Sequence, residues 1–488
     1  MLKPDTTQIQ KLAQEGYSLI PIAREVYADV ATPITLLRRI AERSDRYYLL
    51  ESVEGGEKWA RYSFLGFDPR LRIYAREGRV TTECGGQEQT VETAQPFEEV
   101  RKLLKRYRSP RIADLPPFTG GLVGYFAYAV QSYAEPTLHL SQGENHDFDL
   151  MLFDKVIAYD HLRQKIIVIV NMETDNCLEN YGRAVEEIAG LVQMIRDDRP
   201  LQTPRKKPLK VDFTCSVSEQ EYRDMVERTK RYIYDGDIFQ AVISRQFSAP
   251  FTESLIDSYR VLRTTNPSPY MVYLKIDETE LMCSSPETLV RLQDGRLTTF
   301  PVAGSRPRGA TEEEDEALRE DLLADEKELA EHNMLVDLGR NDLGKISRYH
   351  SVEVSKYQMI HRYSRIMHLC SQVEGDILPE RDALDAIAAV LPAGTLSGAP
   401  KIRASEIIEE IENVPRGIYG GALGYIDFTG NMDTCIAIRM AEKKNGRVYV
   451  QAGGGIVADS VPEREYEESA NKAAAVINAI RRSREVEE

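Results

Sequence analysis

The sequence predicts an α+β fold. Short runs of mixed apolar and polar residues, punctuated by turn residues, dominate the first part of the chain. Helical spacing is confined to separate stretches, and strands and helices do not alternate with the regularity of a Rossmann or TIM-barrel pattern. No fixed-period repeat or low-complexity segment argues for a solenoid or a fibre.

Taken in order, strands are expected at Arg46 to Glu51, Arg61 to Gly66 and Leu71 to Arg76, then at Phe153 to Tyr159 and Lys165 to Asn171 around a polar turn. Runs of strand length between turn residues read as an antiparallel sheet. Arg183 to Arg196 has helical spacing, whereas Asp197 to Leu209 is rich in Pro and Lys without an apolar period. A boundary is therefore placed near Gln202 to Lys210, dividing a region 1–205 from a region 210–488. Ser218-Glu219-Gln220-Glu221 has the spacing of a capping box, and Tyr222, Met225, Val226, Thr229, Tyr232 and Ile233 share a helical face, so a helix opens the second region. Gly236 ends it and Ile238 to Gln246 reads as a half-buried strand; others follow at Tyr270 to Lys275 and Leu281 to Ser284. A long acidic helical stretch is expected over about Thr311 to Leu338, and another over about Glu463 to Arg482.

The 488 residues suggest two or three domains, and 42% hydrophobic with 29% charged residues is the composition of a folded protein with a large core. With 78 acidic against 62 basic residues, a net charge of −16 argues against general nucleic-acid binding. Aliphatic runs such as Ile166 to Val170 are far short of the ~20 residues that cross a bilayer, and Met1 to Gln10 shows no secretory pattern. No membrane association and a cytoplasmic location are the resulting expectations. The six cysteines are scattered without a Cys-x-x-Cys pair, which fits reduced packing residues better than disulfides or thiolate zinc.

Glu328 and Glu331, and likewise Glu465 and Glu468, lie three apart on helical stretches, so each pair projects from one face. The two pairs could face a common cation such as Mg²⁺, or be solvated charge on acidic helices. Three glycine clusters, around Gly394 to Lys401, Gly417 to Gly421 and Gly453 to Gly455, could bring backbone N–H groups to an anion or be tight turns. The first is not a P-loop, because Pro400 precedes Lys401 and the Gly-Lys-[Ser/Thr] ending is missing. Arg439 follows a strand-like run and could clamp a carboxylate or close a salt bridge. His368, in Ile366-Met367-His368-Leu369-Cys370, is either a core histidine or a proton carrier.

Together these pieces resemble the chorismate-utilising enzymes, in the expected order from about Ser218 to Ile480. The landmarks are Gly236-Asp237-Ile238-Phe239-Gln240, Ser285-Pro286-Glu287, Pro301-Val302-Ala303-Gly304-Ser305-Arg306, Glu328 to Asp342, Gly394-Thr395-Leu396-Ser397-Gly398-Ala399-Pro400-Lys401 and Asn471-Lys472-Ala473. The resemblance implies large antiparallel sheets packed face to face. Leu49-Leu50-Glu51-Ser52 and Pro269-Tyr270-Met271 look like the tryptophan site of the members that form anthranilate, so Glu51, Ser52, Pro269, Tyr270 and Met271 are expected to bind inhibitory L-tryptophan. Region 1–205 would then serve regulation and subunit contact, and region 210–488 catalysis. Water-using relatives carry a lysine general base where this chain has Gln240, and para-aminating aminodeoxychorismate synthases a lysine nucleophile where it has Ala303. Lacking both, the chain is expected to aminate chorismate at the ortho carbon with ammonia. The para-aminating reaction is the runner-up, and a non-catalytic tryptophan sensor the alternative outside enzymes.

The resemblance further implies Mg²⁺ held by Glu331 and Glu468, with Glu328 and Glu465 acting through water. Tyr419 and Arg439 would hold the enolpyruvyl carboxylate of chorismate, while Gly304, Ser305, Thr395, Gly453, Gly454, Gly455 and Lys472 line the polar edge. Glu287 would protonate the departing 4-hydroxyl, and His368 would assist pyruvate elimination. Ser305 stands where many relatives have threonine, and Ala129 where an aspartate is common. No Cys-His glutaminase arrangement is apparent, so a separate glutamine amidotransferase subunit is expected, in a heterotetramer of two large and two small chains.

Overall fold

The computed structural model describes residues 2–29, 31–52, 61–141, 143–201, 210–362 and 366–485. Two large antiparallel sheets, of 13 and 12 strands among the described residues, dominate it. They pack face to face, with helices on their outer faces, as an α+β architecture.

Alternation along each strand divides the core into layers. On Arg46–Glu51, Tyr47 and Leu49 point to the helix-covered outer core while Tyr48 and Leu50 point between the sheets. There they meet Phe118, Tyr125, Met151 and Phe153 of the other layer. The outer core of the larger sheet is closed by Cys177–Ile195, Ile256–Thr265 and Pro462–Arg481, and that of the smaller by Pro96–Leu104, Ala383–Val390 and the far half of Glu326–Gly344. Strands buried on both faces lose their polar alternation, which is why the strand read from Phe153 to Tyr159 takes in most of Lys155–Asp160 but only the last residue of Phe148–Phe153. The break falls at Asp154, whose carbonyl accepts the N–H of Asn171.

Residues before and after position 205 contribute to both sheets. Arg46–Glu51 pairs with Tyr270–Ile276 in the larger sheet, and Gly121–Phe126 with Ala422–Asp427 in the smaller. The proposed connection at 202–209 lies outside the described residues. The capping box at Ser218 forms as expected, opening Glu219–Tyr234. The single acidic helix does not form: the chain makes Glu312–Ala324 and Glu326–Gly344, because the Asp325 carboxylate accepts the backbone N–H groups of Lys327 and Glu328 and starts a second helix.

Candidate active site and a second pocket

The catalytic candidates converge at one end of the sheet pair. Gln240–Pro250 lies between Arg447–Ile456 and the short strand Gly398–Ala399, so Gln240 faces Ala399 in the ladder and its side chain lies over Gly455. Gly453 to Gly455 form extended strand rather than a tight turn. Their lack of side chains admits neighbours instead of curving the chain. A Cβ on Gly455 would stand 2.5 Å from Gln240 Nε2, and one on Gly454 2.8 Å from Glu465 Oε2. Gln240 is buried, and its carbonyl oxygen has no hydrogen-bond partner among the described residues.

The two acidic pairs come within electrostatic reach of each other, Glu331 feeling the charge of Glu468. Glu328 and Glu331 come from Glu326–Gly344, and Glu465 and Glu468 from Pro462–Arg481. Burial, then the charges of Glu328 and Glu468, raise the carboxyl of Glu331 above its ordinary range; burial, with repulsion from Glu468, raises that of Glu465. Lys472 supplies a counter-charge, its Nζ 2.7 Å from Glu468 and donating to the Gly453 carbonyl at 3.1 Å. Among the described residues no three such side chains are drawn tightly enough together to hold a metal ion. Oxygen donors crowded by mutual repulsion are nevertheless the donor set that fits a hard divalent cation, which would relieve that repulsion.

Glu287 lies against the turn at Gly394–Leu396 and within electrostatic reach of Lys472. Thr395 Oγ1 donates to Glu287 Oε1 at 3.0 Å, and burial pushes the Glu287 carboxyl up to about 8 against the opposing effects of that hydrogen bond and of Lys472. His368, on Ile366–Asp376, lies opposite Ser305 of Val302–Pro307. Its Nδ1 donates to the Gly304 carbonyl at 3.2 Å, because a carbonyl can only accept; burial, aided by Arg439, keeps the ring neutral at pH 7 by lowering its pKa. Ser305 itself is exposed. Gly304, at φ 66°, makes room for Glu328, whose Oε2 would be 3.1 Å from a Cβ there. Arg439 takes a left-handed φ of 50° at the end of its strand-like run. Burial lowers its pKa, partly offset by Tyr419 and Glu468, while Tyr419 is raised to about 12 by burial.

Sequence reasoning missed the anchor beneath this cluster. Arg416 is buried and pairs with Glu412 at 2.6 Å, donates to the carbonyls of Leu396 and Val242, and stacks 4.6 Å over Tyr128. Glu412 in turn accepts from the backbone N–H and hydroxyl of Ser244. Neither residue stands in a quoted motif, and a charge on a helix end ordinarily reads as solvated, so only the fold reveals the pair.

A cavity of about 230 Å³ opens between the sheets, lined in part by Glu51, Ser52, Pro269, Tyr270 and Met271. The five residues named from two distant sequence segments are thus neighbours, because Arg46–Glu51 and Tyr270–Ile276 pair with Met271 opposite Glu51. The Glu51 carboxylate is already engaged, accepting from Tyr259 and Arg263 and from Ser63. Asp433 and Arg291, paired at 2.6 Å, also line the cavity and had no sequence signal of their own.

The chorismate binding enzyme family model matches residues 45–478. The chain is 45% identical to anthranilate synthase component 1 of Acetivibrio thermocellus over the full length of both, and 44% identical to that of Aquifex aeolicus over 99% of this chain and 98% of the other. The solved structure of anthranilate synthase component I from Streptococcus pneumoniae superposes with a TM-score of 0.78 at 36% identity, covering 93% of this chain and 99% of that one. At 18% identity the Escherichia coli isochorismate synthase MenF shares the fold, with a TM-score of 0.70 over 97% of this chain and 99% of its own. Sheet pairing, converging acids and whole-chain similarity have one explanation, which is that the chain belongs to the chorismate binding enzyme family.

Proposed function

We propose that this chain is the chorismate-aminating component of an anthranilate synthase, which joins ammonia to chorismate and releases anthranilate and pyruvate. The observation that carries the reading is Glu287: a buried carboxyl raised to about 8, oriented by Thr395 and within electrostatic reach of Lys472. At pH 7 it is protonated. With Oε1 accepting from Thr395, Oε2 is left to give its proton to the 4-hydroxyl that departs as ammonia adds at C2. The water-using and para-aminating alternatives each need a lysine, at positions here occupied by Gln240 and Ala303. The unpartnered buried oxygen of Gln240 suits an N–H donor such as ammonia.

His368, whose Nδ1 donates to the Gly304 carbonyl, would assist transfer of the C2 proton as pyruvate leaves and the ring becomes aromatic. Arg439 and Tyr419 hold the enolpyruvyl carboxylate. Glu331 and Glu468, backed by Glu328 and Glu465, would hold Mg²⁺, which when bound supplies Lewis-acid attachment for the ring carboxylate. The component-1 name of the relatives supports a component-2 partner that supplies ammonia from glutamine, and the cavity at Ser52 supports L-tryptophan as inhibitor.

The test is product analysis. Purified protein given chorismate, Mg²⁺ and an ammonium salt near pH 8 is expected to form fluorescent anthranilate, suppressed by tryptophan and abolished by a chelator. A para-aminated product would move the assignment to aminodeoxychorismate synthesis, and tryptophan binding without turnover would make the chain a sensor.

A further inference from the structure

The cavity at Ser52 and the acid Glu287 share a hydrogen-bond knot. Tyr270, on the larger sheet, reaches across the gap and donates from its hydroxyl to Asp433 Oδ1 at 2.7 Å, while the Thr288 hydroxyl lies 2.9 Å from the same phenolic oxygen. Tyr270 and Asp433 line the cavity; Thr288 is buried and is the residue after Glu287. Asp433 is also held by Arg291, which lies on the strand that Thr288 begins. Three residues beyond Asp433, Ile436 donates its N–H to the Glu287 carbonyl at 3.0 Å. Glu287 is therefore gripped on two sides by strands that also line the cavity. The ladder between those strands shifts register between Thr288 and Val290, so regular pairing does not by itself fix the start of Thr288–Gln293.

We propose that Thr288 is a positioning residue that couples the two sites: its hydrogen bond to Tyr270 sets the placement of Glu287, and an aromatic amino acid seated against Tyr270 disturbs that bond. The proposal rests on the reading of the cavity as a tryptophan site and adds how occupancy is transmitted. Coupling of this kind is reciprocal in binding, so chorismate must weaken tryptophan by the factor by which tryptophan weakens chorismate.

The measurement is equilibrium dialysis of labelled tryptophan with and without saturating chorismate, in the absence of ammonia so that nothing turns over. The wild-type protein is expected to show at least about a tenfold weakening by chorismate, Thr288→Ser to keep it, and Thr288→Val to reduce it below about threefold. Valine keeps the bulk of threonine and loses the hydroxyl; serine does the opposite. A packing role would favour valine, whereas positioning favours serine. If Thr288→Val does not fold, Tyr270→Phe removes the same bond from the other side, and the ratio of the two affinities is again the readout. An unchanged factor in either variant lacking the bond overturns the coupling alone, while a wild-type protein that binds no tryptophan overturns the cavity reading and the coupling together.

Discussion

Glu287 illustrates how a single side chain acquires chemistry from its surroundings. An exposed glutamate is ionised at neutral pH and cannot serve as an acid; burial disfavours the charge and shifts ionisation to about pH 8. The sign follows: the competent, protonated form is complete well below 8 and is lost as pH rises through it. On a free-ammonia basis, kcat is expected to fall about tenfold per pH unit above that point, and Glu287→Gln to lower it by about 10²–10⁴-fold and remove the limb. A steady-state pH profile checks both, and a limb that persists in the glutamine variant assigns it to another group. Ser52 carries a separate expectation. It lines the cavity between the sheets, and Ser52→Ala should raise the tryptophan concentration for half-inhibition by about tenfold, the order of one hydrogen bond to a charged ligand group. Inhibition curves at matched chorismate saturation measure it.

At the scale of elements, the Arg416–Glu412 pair fastens the Gly394–Leu396 turn to Gln240–Pro250, and thereby fixes where Thr395 meets Glu287. Both side chains are almost fully buried, at 2% and 4% exposure. Removing one leaves the other's charge without its partner, so Arg416→Met should cost about 3–5 kcal/mol in urea unfolding, with part recovered in the double variant carrying Glu412→Gln. Full additivity of the two substitutions would show that the pair is not coupled. This anchor was illegible in the sequence because, apart from Glu412, the partners of Arg416 are backbone carbonyls 20 and 174 residues away. The candidate catalytic side chains could be named because they sit in compact runs such as Ser285-Pro286-Glu287, and the cap at Ser218 was legible because its signal is local. Between those extremes lie the strands buried on both faces, where Phe148–Phe153 loses the alternation that marks a half-buried strand. Gly453 to Gly455 left two readings open for a related reason: glycine announces turns and close approach alike, and the fold makes them extended strand closely approached by Gln240 and Glu465.

For the whole molecule, the composition shift near 202–210 suggests two parts, yet hydrogen bonding runs across it in both sheets. Arg46–Glu51 supplies six paired positions to Tyr270–Ile276, and Gly121–Phe126 six to Ala422–Asp427. Both junctions lie inside their sheets rather than at an edge. A fragment 210–488 alone would expose the open edges of two long strands together with Val272 and Leu423, which are buried between the sheets in the intact chain. Such edges aggregate or remain unfolded. The fragment is therefore expected to be insoluble or to lack cooperative unfolding, whereas co-expression with 1–205 should restore a complex that elutes with the intact protein and forms anthranilate. Cleavage of the native chain within 202–210 should likewise leave both pieces associated, since separating them breaks both ladders at once. A 210–488 fragment that unfolds cooperatively on its own would show that the second region's ladders close without the first. The cavity residues would then be divided between two independently stable bodies, and tryptophan would act by docking one against the other rather than within a shared pair of sheets.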